Sequence, residues 1–234
     1  MSAFALKSIA FVLMVLDHIF YYIKDTPIIF TYLGRIVAPI YFYLLVESFF
    51  HTRNRKKFTI RLFSFAFIVM FVINFMFKQP MNIFLSMALG VCMLNLIEFI
   101  KNNKGNIWKI LISCIGIILI ICISLYTEAT YLGIGMMLIF YFFRDKKFWM
   151  ILSYIVLSLI DIPFLIGIPN FIKYIFLINY QWMMVFAIIP IMLYNGKPGL
   201  RNNFFKYFFY IAYPVHLIII LIIGNTINPY LEYF

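Results

Sequence analysis

The chain has 234 residues, 65% of them hydrophobic and only 12% charged, with a mean hydropathy of +1.01 and a formal charge of +11. A soluble domain carries about 25% charged residues, and no single soluble core buries this much apolar surface, so the composition points to an all-α polytopic membrane protein. The charge does not indicate a nucleic-acid partner, because Lys and Arg lie in short loops between apolar spans, where the positive-inside rule places them.

The sequence predicts a bundle of about nine spans of the length a bilayer requires. The first, 5–23, carries Lys7, Asp17 and His18. An Asp or Lys at a helix centre costs about 2.5–3.5 kcal/mol on insertion scales, and such residues mark functional sites by default. Helical geometry places Lys7 and His18 about 16 Å apart along the axis and about 20° apart around it, with Met14 on the same line. The second span, 32–51, has Arg35 near its start and Glu47 and His51 near its end, four residues apart and in reach of a hydrogen bond. The strongest charge run follows, Thr52-Arg53-Asn54-Arg55-Lys56-Lys57.

The third span, 58–77, ends at Lys78-Gln79-Pro80, and the fourth covers 81–100. The fifth, 107–125, is followed by a short sixth at 129–143, where Gly133 and Gly135 permit close helix packing. The seventh is 148–166. Residues 167–179, interrupted by Pro169 and Asn170, fit either a re-entrant or interfacial segment or an extension of the eighth span at 180–194. The turn-rich stretch 195–203 leads to the ninth span, 204–224, and a ten-residue tail.

Fifteen of the nineteen cations, all but Lys24, Arg35, Lys78 and Lys173, fall on one side when the N-terminus is cytoplasmic. That orientation is the expected one. No soluble domain, linker or internal repeat interrupts the chain, which reads as a single domain over 1–234. The N-terminal stretch is not expected to be a cleaved signal peptide, since its apolar region is too long. Cys92, Cys114 and Cys122 sit within apolar spans as small hydrophobic residues, and no metal site is expected.

Two polar layers emerge from these depths. The outer one holds Asp17, His18, Arg35, Asn82, Gln181 and His216; the inner one holds Lys7, Glu47, His51 and the run 53–57. Asp17 and His18 point about 100° apart, so Asp17 is expected to pair with another helix, Arg35 being the candidate. Lys7 taken alone reads as a snorkelling interface residue, and His216 taken alone is as readily structural as functional. An imidazole at mid-membrane above a basic inner mouth suits transfer from an inner phosphate-bearing donor to an outer acceptor. It suits a proton relay in a transporter equally well.

The stretches LKSIAFVLMVLDH (6–18), GRIVAPIYFYLLVESFFHTRNRKKFTIRL (34–62), NIFLSMALG (82–90), LYNGKPG (193–199) and FFYIAYPVHL (208–217) resemble the TraX family, membrane proteins associated with F-pilin N-terminal acetylation. More distantly, Lys7-x10-His18 is similar to the R/K-x10-H pattern of acyltransferase-3 type transmembrane enzymes. The resemblance implies a multi-pass protein of the bacterial plasma membrane that transfers acetyl from acetyl-CoA. It implies His18 as the catalytic residue and Lys7 as its partner in the pattern; His51, Arg53, Asn54, Lys56, Lys57 and His216 match the family's motifs. With Lys7, the residues His51, Arg53, Asn54, Lys56 and Lys57 would hold the cofactor. From the outer polar layer, Asp17 is the second catalytic candidate, and Arg35, Asn82 and His216 would hold the acceptor. Lys at position 7 keeps the charge of Arg but not its bidentate fork. The acceptor is expected to be an amine or hydroxyl, a pilin subunit, a glycan or a small amine. A transporter or flippase with an Asp/His/Arg network, and a noncatalytic partner in surface-structure assembly, are the alternatives.

Overall fold

The computed structural model describes residues 1–77, 82–200 and 202–227, the side chains of 74–77, 203 and 206 excepted. The expected break at Lys78-Gln79-Pro80, the cation Arg201, the Lys206 side chain and the chain after 227 lie outside the described residues. Every regular element among those described is helical: α1 Ala3–Tyr22, α2 Ile29–Gly34, α3 Val37–His51, α4 Arg55–Phe77, α5 Ile83–Asn102, α6 Ile107–Ser124, α7 Thr130–Phe142, α8 Lys147–Ser158, α9 Ile162–Leu165, α10 Phe171–Leu177, a 3₁₀ helix Gln181–Ala187, α11 Ile188–Met192 and α12 Asn203–Ile227.

Among the described residues, six stretches are long and apolar enough to cross a bilayer: Ala3–Tyr22, Ile29–His51, Ile83–Asn102, Ile107–Ser124, Lys147–Leu165 and Tyr207–Ile227. The pair Phe171–Leu177 and Gln181–Met192, bent by 61°, makes a seventh if counted as one broken span. This differs from the nine expected. The sixth expected span is the apolar but 13-residue α7, and the third lies within the 23-residue α4, whose last side chains are outside the description. The segment 167–179 holds α10, and its continuation after the bend is 3₁₀ rather than α-helical. Such tight stretches often mark a hinge or a functional position.

Capping explains several boundaries. Ser2 Oγ accepts from Ala5 N at 3.2 Å and opens α1. Asn106 Oδ1 accepts from Lys109 N at 3.1 Å and opens α6. Each such cap stabilises its helix by about 1 kcal/mol. Pro39 sits in the first turn of α3 and Pro163 at the start of α9, where a missing N–H removes no helical bond.

The chain divides into two compact units, one formed by Met1–Tyr41 with Phe143–Phe234 and the other by Phe42–Phe142. In the first, α1 packs against α2 and α12, and the 3₁₀ helix packs against α2, α8 and α11. The buried residues of α1 are Leu6, Ala10, Met14, His18 and Tyr22, one residue per turn along a single stripe. The loop 193–199 closes the entrance to that helix: Lys197 O accepts from Ala3 N at 2.9 Å and Pro198 O from Phe4 N at 3.1 Å. Two N–H groups that a helix start leaves without internal partners are thereby satisfied.

In the second unit α5 packs against α4, α6 and α7. Small residues allow these approaches. A β-carbon at Gly133 would come within 2.7 Å of Ala129 Cβ and 3.0 Å of Phe42, and one at Gly90 would lie 3.0 Å from Met137. The glycine-permitted packing expected at 133 is therefore present.

Candidate active site

Asp17 and His18 are consecutive on α1 but face different neighbours, as a helix step of about 100° requires. Asp17 turns to the end of α2. His18 turns to α12.

Nδ1 of His18 lies 2.7 Å from Nε2 of His216. Both rings are buried, His18 at 4% and His216 at 8% exposure. Their planes are 11° apart and their centroids 4.9 Å apart, so the two imidazoles lie nearly parallel along the N···N contact. On its other side, Nδ1 of His216 is 2.8 Å from the carbonyl oxygen of Ala212, one turn back on α12. Aromatic edges hold the pair in place: Phe11 meets His216 at 5.5 Å between centroids, and Tyr213 lies 6.2 Å from His18 and 5.7 Å from His216. Met14 is buried one turn from His18 on the same stripe. The two histidines expected at similar depth from opposite ends of the sequence are thus in direct contact.

Beside the dyad lies a charged cluster. Arg35 Nη2 donates to both oxygens of Asp17, at 3.0 and 2.8 Å, and to Tyr21 Oη at 3.2 Å. Its Nη1 donates to Gln181 Oε1 at 3.3 Å. The guanidinium also lies over the rings of Tyr21 and Tyr180, at 5.6 and 5.7 Å. Arg35 is not in the first turn of a span, as expected, but at the joint between α2 and α3. Gly34, just before it, makes the approach possible: a β-carbon there would lie 2.3 Å from Asp17 Cγ.

The expected partner of Asp17 on another helix is thus Arg35. Asp17 is held by Arg35 and not by the imidazole of His18, Arg35 is engaged by Asp17, Tyr21 and Gln181, and His216 is in contact with His18. Lys7 lies half-buried near the start of α1.

The remaining candidates belong to the second unit. Asn82 is buried; its amide donates to Ala66 O at 2.7 Å and its oxygen caps α5 through Leu85 N at 3.2 Å, so both ends of the amide have structural work. Asn54 caps α4 through Lys57 N at 2.8 Å. His51 Nδ1 donates to the backbone carbonyl of Glu47 at 2.8 Å, with the Glu47 carboxylate 4.0 Å away, so the two residues meet as expected, with the backbone oxygen as the nearer acceptor. Arg53, Lys56 and Lys57 are exposed around the start of α4, where the helix dipole adds to an attraction for anions.

A second cluster escaped sequence reasoning. Glu98 pairs with Arg55 at 3.1 Å and Lys101 at 3.4 Å, accepts from Tyr141 Oη, and Lys101 Nζ reaches that oxygen at 2.7 Å. It ties the start of α4 to the ends of α5 and α7. The one available signal was an acid near the end of an apolar span, followed three residues later by a Lys. Tyr21 was more legible, lying one turn from Asp17 on α1.

A family model described as TraX protein matches residues 2–224. The chain is also 26% identical over 244 residues to "Probable fimbrial assembly protein FimC, serogroup H1" of Dichelobacter nodosus, across 92% of this chain and 93% of that protein. No solved structure matches.

Proposed function

The chain belongs to the TraX family, and from that footing we propose that this multi-pass membrane protein is an acyltransferase of the bacterial plasma membrane. It takes acetyl from acetyl-CoA on the cytoplasmic side and passes it to an amine or hydroxyl acceptor on or near the outer side. The observation that carries the proposal is the buried contact between His18 Nδ1 and His216 Nε2, 2.7 Å long. A hydrogen-bonded imidazole in an apolar environment is suited to removing a proton from an attacking amine or hydroxyl, or to taking the acyl group itself.

The other roles follow from charge and exposure. Arg53, Lys56 and Lys57 are the cations assigned to the donor's phosphates, with Lys7 as a further one; phosphate oxygens are strong acceptors for such donors. Arg35 and Asp17 form a neutral pair that shapes the outer side of α1. The fimbrial name of the relative supports an acceptor in pilus assembly, a pilin amine being the family precedent.

The test is transfer of labelled acetyl from acetyl-CoA by the full chain in proteoliposomes, offered amine and hydroxyl acceptors. Acetylated acceptor is the expected product. Absence of transfer combined with proton-driven flux of a solute would establish the transporter alternative, and absence of both would leave a noncatalytic role in assembly.

A further inference from the structure

A backbone carbonyl only accepts hydrogen bonds, so Nδ1 of His216, 2.8 Å from Ala212 O, carries its proton. In the neutral ring the lone pair is then on Nε2. That nitrogen faces His18 Nδ1 at 2.7 Å, and two lone pairs do not bond. Nδ1 of His18 therefore carries a proton too, and its Nε2 holds the lone pair. Both rings stay neutral because an uncompensated charge in this apolar setting is costly. The result is a chain with one direction, from His18 Nδ1–H to His216 Nε2 and from His216 Nδ1–H to the carbonyl of Ala212.

We infer that His216 is the positioning residue that holds His18 in its Nδ1–H tautomer and makes Nε2 of His18 the reacting atom. The inference rests on the acyl-transfer reading and deepens it. Free histidine in water favours the opposite tautomer, with the proton on Nε2, so the arrangement must be imposed. It is imposed by α12, whose Ala212 carbonyl lies one turn from His216 and fixes which nitrogen His216 offers. The edges of Phe11 and Tyr213 keep the rings from turning.

The chemistry balances around that lone pair. The acceptor's N–H or O–H proton passes to His18 Nε2 while the acceptor heteroatom bonds to the thioester carbonyl carbon. The carbon–sulfur bond then breaks, and the departing thiolate takes the proton back from Nε2. The products are the acetylated acceptor, the CoA thiol and a neutral His18. Throughout, Nδ1–H remains bonded to His216, and that bond strengthens when Nε2 is protonated because the donor becomes charged. The same lone pair acts if His18 accepts the acyl group itself.

The experiment uses the full chain with ring-¹⁵N-labelled histidine in lipid nanodiscs, the His216 signals assigned by their loss in the His216 variants, together with acetyl-transfer rates. For the intact dyad, His18 is expected to show a protonated Nδ1 and an unprotonated Nε2. In His216→Leu the tautomer should revert to Nε2–H and the rate should fall about a hundredfold, within the range of general-base effects. In His216→Gln, whose amide oxygen can still accept from His18, the Nδ1–H tautomer should persist and the rate should stay within about tenfold of the parent. A parent spectrum with the proton on His18 Nε2 would overturn the inference, as would a leucine variant with unaltered tautomer and rate. The parent spectrum decides the tautomer even if the leucine variant fails to fold. Loss of the broader reading is distinguishable: it would appear as no acetyl transfer by the parent, whatever the tautomer.

Discussion

Gly34 is what lets Asp17 reach Arg35. The site a β-carbon would occupy at Gly34 is 2.3 Å from Asp17 Cγ and Oδ1, so the carboxylate lies directly against the end of α2, and Arg35 closes on it from the next position. Gly34→Ala is expected to push the carboxylate away from the guanidinium. Overpacking of this kind costs about 1–3 kcal/mol. A lowered thermal midpoint in detergent, measured beside Gly105→Ala, where nothing lies within 4 Å of the added carbon, would show it. Equal midpoints for the two variants would mean that the approach is not constrained.

The Asp17–Arg35 pair should behave as a single element. Asp17→Ala leaves a cation, and Arg35→Met an anion, largely shielded from water, with side-chain exposures of 20% for Arg35 and 14% for Asp17 in the intact pair. Removing one member of a buried pair costs about 3–5 kcal/mol, whereas removing both is often far milder. A double-mutant cycle read by chemical denaturation in micelles should give strong coupling, with the double variant more stable than either single one. Additive losses would place the two side chains in separate roles.

Donor recognition should separate from helix capping at the start of α4. The triple variant Arg53→Gln, Lys56→Gln, Lys57→Gln is expected to raise KM for acetyl-CoA about tenfold with kcat little changed, the signature of lost uniform binding, and the effect should shrink at high salt. Asn54→Ala removes the bond to Lys57 N and should cost about 1 kcal/mol of stability without moving KM. A KM that stays constant in the triple variant would take these cations out of donor binding.

Much of this site was legible in the sequence because a helix has a fixed period. That period places Lys7, Met14 and His18 on one line and turns Asp17 away from His18 toward a different helix, where it meets Arg35. Depth counting brought His18 and His216 to one level. It could not bring them into contact, because the period of α12 does not say which face that helix turns to α1. The break within 167–179 was legible from Pro169 and Asn170, but the joint at Arg35 was not, because residues 29–51 read as one apolar run. Capping was legible but not read. Asn54 and Asn82 each stand immediately before a helical run, the position where Asn most often caps, and both side chains cap the helix that follows. Glu98 was passed over as an ordinary charge at a span end, since its partners Arg55 and Tyr141 are 43 residues away in each direction.

The most direct test of the central claim is the initial rate of labelled acetyl transfer from acetyl-CoA by the parent chain and by His18→Ala, reconstituted at equal amounts in proteoliposomes. The His18–His216 dyad predicts a rate at least about a hundredfold lower in the variant, with helical content and thermal midpoint retained. A folded His18→Ala protein that transfers acetyl as fast as the parent would contradict it.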